Sequence, residues 1–332
     1  MTVSLKSFSA DNYFKNITGL SRGKFFYFPC FFCIIQNNTK RGLFQLNNNI
    51  FAIIVTYNPN NSLIRLYNSI KEQVDEIVIV DNSSCNNDSV EILKILEKDV
   101  FIIHNKQNLG VASALNWGLK IAMDKNYQWV LTLDQDSEFL PNTYKLLLDF
   151  YEKLKDKAKT MIIAPKAIER VNLDKNVLFY SKEVVWNDAI LNLTSGSLIK
   201  AEAFDKVGLF DDKLFIEQVD NDFCYRLIKN RYKIKVAQNI NFIQEIGNAK
   251  RVCGCVVRNH NSKRKYYLSR NVTIMLKKYF FIAPYTTMRY FLGGTFFSWL
   301  KVLLFEKEKV KKITCGFKGF IDGVFNVRRN IL

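Results

Sequence analysis

Two acidic residues separated by one position are the first candidates for chemistry. Asp134 and Asp136 flank Gln135 directly after the apolar run 129–133. Carboxylates at this spacing can hold a hard cation such as Mg²⁺ or Mn²⁺ and leave coordination positions open for the oxygens of a diphosphate. An isolated pair of this kind is also common in plain acidic turns. The sequence therefore predicts a metal site at Asp134 and Asp136 whose support must come from neighbouring residues.

Polar clusters also follow the other apolar runs of this region. Asp81 ends the run 76–80, where its carboxylate is placed to hydrogen-bond a nucleobase or a ribose. The candidate ligand-binding residues in these clusters are Thr56, Tyr57, Asn58, Asp81, Asn82, Asn108, Gly110, Asp134 and Gln135. The first run lacks a following G-x-G-x-x-G or G-x-x-x-x-G-K pattern, which argues against a dinucleotide cofactor and a P-loop.

Short apolar runs alternate with segments of helical spacing between residues 50 and 134. We predict strands at 51–55, 76–80, 100–104 and 129–133, and helices at 62–73, 90–96 and 111–123. This alternation predicts an α/β fold with a doubly wound, mostly parallel sheet and right-handed crossovers. In such sheets ligands bind beyond the carboxyl ends of the strands, which is where the polar clusters lie.

Several segments occur in an order that resembles family 2 glycosyltransferases. The segments 52–58, 77–83, 108–118 and 131–137 are similar to the donor-binding half of that family. The segments 193–199, 210–216, 219–226 and 260–271 are similar to its second half, and the similarity is closest to the bacterial rhamnosyltransferase branch. The resemblance covers about residues 50–275 and implies the GT-A fold, a sheet of Rossmann type.

The resemblance also implies roles for individual residues. It makes Thr56, Asp81 and Asn108 nucleotide ligands and Asp136 the main metal ligand. Gln244 stands where many members carry a His that helps to hold the metal, and Gln is a poorer ligand. An inactive, membrane-bound scaffold is therefore one alternative to an enzyme.

The resemblance places the catalytic base at Asp220. An inverting transfer needs one carboxylate to take the proton of the attacking acceptor hydroxyl, and no covalent nucleophile. Asp222 is the alternative base, and a further alternative is an acidic loop in which both carboxylates pair with Arg226. We also assign Ser197, Arg226 and His260 to nucleotide-sugar binding, although Ser197 also fits a polar turn and His260 also fits simple loop packing.

Positive charge is concentrated at the C-terminal end. The chain of 332 residues has a net charge of +17, and residues 251–332 hold 17 basic and three acidic residues, a surplus of +14. Between 276 and 312, two apolar blocks are interrupted by bases, namely Lys277, Lys278, Arg289, Lys301, Lys307, Lys309, Lys311 and Lys312. This mixture predicts basic amphipathic helices on an anionic membrane surface. Packed core helices with a solvated basic face are the alternative.

The domain plan and the expected function follow from these features. We predict an irregular extension at 1–49, a glycosyltransferase domain at 50–275 and a basic helical region at 276–332. The domain divides into a nucleotide-sugar-binding half at 50–140 and an acceptor and catalytic half at 141–275. We interpret the seven scattered cysteines as reduced thiols, which indicates a cytoplasmic protein. Together with the basic C-terminal region, this predicts peripheral binding to the inner face of the cell membrane.

The expected activity is metal-dependent, inverting hexosyl transfer in the assembly of O-antigen, capsule or another cell-surface polysaccharide. The resemblance favours L-rhamnose from dTDP-rhamnose as the donor sugar and a saccharide on polyprenyl diphosphate as the acceptor. A UDP-hexose donor for galactosyl or N-acetylglucosaminyl transfer is the alternative with the same fold. A nucleic-acid-binding protein is the rival of another class, and the apolar blocks argue against it because base-stacking proteins carry isolated aromatics.

Overall fold

The computed structural model describes residues 33–34, 49–83, 87–170, 184–245, 250–252, 255–257 and 259–327. Most of the predicted extension at 1–49, with Cys30, and also Ser84, Cys253 and Arg258 lie outside these ranges. The strands are β1 Cys33–Ile34, β2 Ile50–Thr56, β3 Glu76–Asp81, β4 Phe101–His104, β5 Trp129–Asp134, β6 Ser137–Phe139, β7 Thr160–Glu169, β8 Trp186–Ala189, β9 Ser197–Lys200, β10 Lys233–Gln244, β11 Lys250–Val252 and β12 Cys255–Val257.

Helices cover both faces of the main sheet and form the C-terminal region. They are α1 Asn61–Ile70, α2 Asn87–Leu96, α3 Val111–Asp124, α4 Thr143–Tyr151, α5 Ala201–Val207, α6 Val219–Lys229, α7 Ser262–Tyr279, α8 Pro284–Gly294, α9 Phe296–Phe305 and α10 Lys309–Val324, with a 3-10 turn at Asp212–Leu214. The predicted strands and helices of the first half are therefore confirmed to within a few residues at their ends.

The first half of the sheet is parallel, in the order β4-β3-β2-β5. Strand β2 is apolar throughout because both of its faces are buried. Phe51 and Ile53 pack in one core with α3, whereas Ala52 and Ile54 pack in a second core with α1. The pairing register aligns the ends of these strands, as the sequence predicted.

The second half of the sheet is mixed, so the expectation of a mostly parallel sheet is wrong beyond β5. Strand β9 runs antiparallel to both β5 and β7, and β10 pairs parallel with β7 but antiparallel with β6 and β8. Gly196 donates its backbone N–H to Thr132 O (2.9 Å), so β9 starts beside the carboxyl end of β5 and runs back along it.

The C-terminal helices pack against α7, which runs through the predicted domain boundary at 275/276. Helix α10 approaches α7 closely, since a Cβ atom at Gly319 would lie 2.1 Å from Tyr266 O. Among the described residues, no helix combines the length and the apolar character that crossing a bilayer requires.

Candidate functional site

The ends of β2 and β3 meet at Asp81. Its Oδ1 accepts hydrogen bonds from Thr56 Oγ1 (2.8 Å) and Ser83 Oγ (2.6 Å), and its Oδ2 lies 3.7 Å from His104 Nδ1. Burial raises the pKa of this carboxyl, but the bonds from His104, Ser83 and Thr56 outweigh burial and leave the pKa below its usual value. The site thus holds a charged carboxylate at the expected nucleoside position, and His104 is a partner that sequence reasoning had not singled out.

The ends of β2 and β5 are joined through Gln135. Its side chain accepts from Tyr57 N (2.8 Å) and donates to Tyr57 O (3.3 Å), while Ser62 Oγ donates to its backbone oxygen (2.9 Å). The Tyr57 side chain is half exposed beside this clamp. Asn58, with a positive φ of 47°, donates its N–H to Ser83 Oγ (2.7 Å). Gln135 therefore shapes the loop between the strands and is engaged with protein groups.

A third loop, at the start of α3, completes the nucleotide side. Asn82 Nδ2 donates to Gly110 O (3.0 Å), and Asn108 Oδ1 accepts from Gly110 N (2.9 Å). Gly110 has φ of +86°, and a Cβ atom there would lie 2.6 Å from Phe215 O. This position requires glycine, because the backbone of Phe215 crosses directly over it.

The predicted metal ligands and the predicted base are three half-buried carboxylates. Asp134 and Asp136 end β5 and its following turn, and Asp220 lies in the first turn of α6. Ser195 Oγ holds the end of β5 by accepting from Asp134 N (3.0 Å). The acceptor for the N–H of Asn221 is Asp220 Oδ1 (2.8 Å).

The carboxylates influence one another electrostatically. Burial, together with the negative charges of Asp136 and Asp220, raises the pKa of Asp134 to about 7. Burial first, and then Glu245, also raise the pKa of Asp136. Burial and Glu217 raise the pKa of Asp220 to about 6. Residues from three separated parts of the chain thus create one negative site that is short of positive charge.

The donor atoms of this site suit a hard divalent cation. Asp136 Oδ1 is buried and receives no hydrogen bond, which is costly for a carboxylate oxygen unless another group binds it. In the described ranges, no cluster of three or more His, Cys, Asp or Glu side chains could hold a metal ion. Mg²⁺ commonly takes only one or two carboxylates and completes its shell with substrate phosphates and water. Asp134 and Asp136 fit that pattern.

Asp222 does not share this environment. Its side chain is fully buried and accepts from Arg226 Nε (2.8 Å), Lys278 Nζ (2.7 Å) and Tyr279 OH (2.7 Å). Burial raises the pKa of Asp222, but Arg226 and Lys278 outweigh it and keep the pKa low. A carboxylate with three donors and no exposed surface has no access to an acceptor hydroxyl. The geometry therefore argues against Asp222 as the alternative base and agrees, for this residue, with the ion-pair alternative.

Arg226 is likewise engaged away from the carboxylate site. Besides Asp222, its guanidinium donates to the backbone oxygens of Val207, Gly208 (2.9 Å) and Leu209 (2.8 Å). These contacts tie α6 to the end of α5. The expected role in nucleotide-sugar binding gives way to a structural one, because its donors are already taken.

Two further predicted ligands have environments that differ from the expectation. Ser197 is buried, donates to Leu193 O (2.6 Å) and accepts from Asn192 Nδ2 (2.6 Å), so its hydroxyl is held inside the turn. His260 lies half-buried just before Asn261, which caps α7 by accepting from the backbone N–H of Arg264 (2.8 Å). In the same turn, Ser195 rather than Ser197 is the hydroxyl that contacts the end of β5.

Gln244 ends β10 and pairs with Ser137 of β6, which is the residue that follows Asp136. The next residue, Glu245, donates its backbone N–H to Asp136 O (3.0 Å) and pairs with Arg65 (2.6 Å). The segment in which many family members carry a His therefore does lie beside Asp136.

The C-terminal helices expose many large apolar side chains. Phe281 is 96% exposed and Val310 is 81% exposed. Others are Tyr285, Phe296, Phe297, Leu300, Leu303, Leu304, Phe317 and Phe325. We predicted Lys312 to lie on lipid, but it is buried and pairs with Glu306 (2.9 Å). The same carboxylate also binds the buried Lys265.

Comparison with known proteins decides the family. The model of glycosyl transferase family 2 matches residues 51–189. The chain is 30% identical over 250 residues to the dTDP-rhamnosyl transferase RfbF of Shigella flexneri. The match covers 70% of this chain and 81% of RfbF. The chain belongs to glycosyl transferase family 2. The resemblance found in the sequence is thereby confirmed.

Other relatives of this glycosyltransferase extend the match. The low-salt glycan biosynthesis hexosyltransferase Agl10 of Haloferax volcanii is 23% identical over 325 residues, 89% of this chain and 97% of that one. A crystal structure of S. aureus TarS 1-349 superposes with a TM-score of 0.53 at 16% identity, covering 83% of this chain and 80% of that chain. The mixed α/β sheet is thus consistent with the GT-A fold.

Proposed function

We propose that this glycosyltransferase moves a sugar from a nucleoside-diphosphate sugar with inversion, using Mg²⁺ or Mn²⁺ at Asp134 and Asp136 and Asp220 as the general base. The observation that carries the proposal is the unpaired buried oxygen on Asp136, next to Asp134, whose pKa the charges of Asp136 and Asp220 raise. A bound divalent cation would balance that charge and stabilise the departing diphosphate.

Asp220 has the properties of the base in this proposal. Its pKa of about 6 leaves it ionised at neutral pH while keeping it basic enough to accept a proton. It takes the proton of the acceptor hydroxyl as that oxygen bonds to the anomeric carbon. The bond from the anomeric carbon to the diphosphate oxygen breaks, and its electron pair leaves with the nucleoside diphosphate.

On the other side of the site, the network around Asp81 supports nucleoside binding. Thr56 and Ser83 hold the charged carboxylate, and in this proposal it accepts a hydrogen bond from a base or ribose. Asn82 and Gly110 shape the neighbouring loop through their mutual hydrogen bond. Asn108, which holds Gly110, stays a proposed nucleotide ligand.

For the donor we propose dTDP-L-rhamnose, on the name of the Shigella flexneri relative. A UDP-hexose is the second candidate, favoured by the match to the hexosyltransferase Agl10 over nearly the whole chain. In both cases we propose a lipid-linked saccharide as the acceptor, in the assembly of a cell-surface polysaccharide.

A membrane surface is the proposed meeting place with that acceptor. The exposed aromatic and aliphatic side chains of α8, α9 and α10 are accompanied by exposed bases at Arg289, Lys307, Lys309 and Lys311. Such a surface suits the headgroup region of an anionic bilayer, where each base contributes on the order of 1 kcal/mol. The proposal places the protein peripherally on the inner face of the cell membrane, in the cytoplasm.

Vesicle co-sedimentation tests the membrane half. The change is charge reversal at Lys307, Lys309 and Lys311, with reversal at the exposed Lys153, Lys155 and Lys159, between α4 and β7, as the matched control. We expect wild type and control to sediment with anionic but not neutral vesicles at low salt, and the first variant to stay in solution. Equal sedimentation of both variants would remove the support for these lysines.

Mn²⁺ titration tests the metal site. Binding of Mn²⁺ in the presence of dTDP or UDP is measured by electron paramagnetic resonance for wild type, Asp136→Ala and the control Asp149→Asn. Asp149 is an exposed carboxylate on α4. We expect Asp136→Ala to lose about tenfold or more in Mn²⁺ affinity and the control to match wild type. Unchanged binding in Asp136→Ala would contradict the assignment.

A further inference from the structure

The loop between the 3-10 turn and α6 is held in an unusual conformation. Phe215, Glu217 and Gln218 all have positive φ, at 66°, 63° and 65°. At Phe215, with ψ of −65°, the backbone forms a tight turn in which Ile216 N donates to Leu214 O (2.8 Å). Non-glycine residues adopt such angles at a cost, and only where the surroundings fix them. The strain directs attention to what this loop presents.

Two buried side chains of α7 hold the loop between the 3-10 turn and α6. Asn271 Nδ2 lies within hydrogen-bond distance of three of its backbone oxygens, those of Leu214, Ile216 and Glu217. Arg270 Nη2 donates to Lys213 O (2.8 Å) and Leu214 O (3.1 Å). The loop also contacts the start of α3, because Phe215 O accepts a hydrogen bond from Val111 N (2.7 Å), the residue after Gly110.

This scaffold brings Glu217 against Arg264. The Glu217 Oε1 atom lies 2.5 Å from Arg264 Nε, which projects from the first turn of α7. The Arg264 side chain is 42% exposed, so solvent reaches it. Its charge opposes the upward pKa shift of both Asp134 and Asp136. Glu217 therefore ties Arg264 to the loop that leads into Asp220, and the charge of Arg264 acts on Asp134 and Asp136.

Building on the function proposed above, we propose that Arg264 is a ligand of the donor diphosphate and that Glu217 holds its guanidinium in place until the donor arrives. Arginine is suited to this task, since its planar fork binds phosphate oxygens in pairs and keeps its charge at any working pH. The Arg264 side chain is 42% exposed and the Glu217 side chain 18%, so the pair is only partly buried. We expect a diphosphate to compete with Glu217 for the exposed part of the guanidinium, while Asn271 still anchors the strained loop.

This arrangement predicts opposite effects for the two partners. Removing Arg264 takes away a diphosphate ligand, whereas removing the charge of Glu217 takes away a competitor. A purely structural latch behaves differently, because breaking it from either side loosens the same loop. The sign of the change therefore separates a ligand from a latch.

Calorimetric binding of dTDP and dTMP, with Mn²⁺ present, measures these signs. We expect Arg264→Gln to weaken dTDP binding by about tenfold or more, the scale of a hydrogen bond to a charged group, and dTMP binding by much less. Arg264→Lys should recover part of the dTDP affinity. Glu217→Gln should strengthen dTDP binding severalfold, and the control Lys263→Gln, exposed on the same helical turn, should resemble wild type.

Two outcomes overturn the proposal. If Arg264→Gln and Glu217→Gln weaken both nucleotides alike, the pair is only a latch. If Arg264→Gln leaves dTDP affinity unchanged, the guanidinium does not touch the diphosphate. Repeating the series with UDP separates this result from failure of the proposed function, because wild type that binds neither dTDP nor UDP refutes nucleotide-sugar binding itself. Thermal melting of each variant checks that the fold is retained.

Discussion

Replacing Asn271 with alanine should loosen the loop that carries Glu217. The side chain is fully buried, and its amide lies 3.0, 2.7 and 2.9 Å from the oxygens of Leu214, Ile216 and Glu217. An amide has only two hydrogens, so two of these acceptors lose a partner at any moment. A buried acceptor left unpaired costs about 1–3 kcal/mol.

The expected total lies below the simple sum of two such costs. Leu214 O retains the bond from Arg270, and part of the strain at Phe215 and Glu217 is relieved when the loop relaxes. We therefore expect Asn271→Ala to lower the free energy of unfolding by about 2–4 kcal/mol. In a protein of this size that corresponds to roughly 3–6 °C in Tm.

Urea denaturation and amide hydrogen exchange check this expectation together. Exchange should speed up at 212–218 in the native state, and dTDP affinity should fall with it. The control is Asn68→Ala on the exposed face of α1, where a change within about 0.5 kcal/mol is expected. A variant at Asn271 that is as stable as that control, with unaltered exchange in the loop, would refute the reasoning.

Four further outcomes are expected. Asp220→Asn should leave dTDP binding nearly intact while lowering the transfer rate by about a hundredfold or more, measured by nucleoside-diphosphate release; equal loss of binding would mean that Asp220 is a ligand. Asp222→Asn should leave Arg226 and Lys278 facing a neutral partner, lowering the free energy of unfolding by about 3–5 kcal/mol in urea denaturation, and a neutral effect would contradict the buried pairing. Gly110→Ala should weaken dTDP binding and lower Tm, because its Cβ would meet Phe215 O at 2.6 Å, and retention of both would show that the loop yields. The interaction with Asp81 raises the pKa of His104 above its usual value. This pair therefore stabilises the fold fully below about pH 6.5 and loses that effect as pH rises through the raised pKa. The difference in the free energy of unfolding between wild type and His104→Gln should shrink at alkaline pH.

The donor half of the fold was predictable because its signals are local. Continuous apolar runs predict parallel strands buried on both faces, and the polar residue after each run then falls at one edge of the sheet. The register of β2 with β3 and β5 places Thr56 opposite Asp81 and Val55 opposite Asp134. The sequence alone therefore predicts that Asp81 and Asp134 lie at the same edge of the sheet, on either side of β2.

The second half depends on contacts that local patterns do not contain. The antiparallel course of β9 follows from a turn at Gly196 that bonds back to Thr132, 64 positions earlier. Asp222 resembles a catalytic carboxylate in sequence, and only the packing of α6 on α7 brings Lys278 and Tyr279 to it. Side-chain partners that far apart are set by tertiary packing and not by periodicity.

The same reason explains the charges of the C-terminal region. Lys312 looks like one more base in a basic run, yet Glu306 draws it into a buried pair together with Lys265. Arg264 lies in the segment 260–271 that resembles the second half of the family, four residues after His260. Its particular position near Asp134 and Asp136 becomes visible only when α7 is placed beside the site.

Donor consumption tests the central claim most directly. The full chain is incubated with Mn²⁺ or Mg²⁺ and separately with dTDP-L-rhamnose, UDP-galactose and UDP-N-acetylglucosamine, and the released nucleoside diphosphate is measured with a lipid-linked saccharide extract as acceptor. We expect release from one donor, dTDP-L-rhamnose first, that stops in EDTA and in Asp136→Ala. Release that continues undiminished in EDTA, or no release from any donor, would contradict the account.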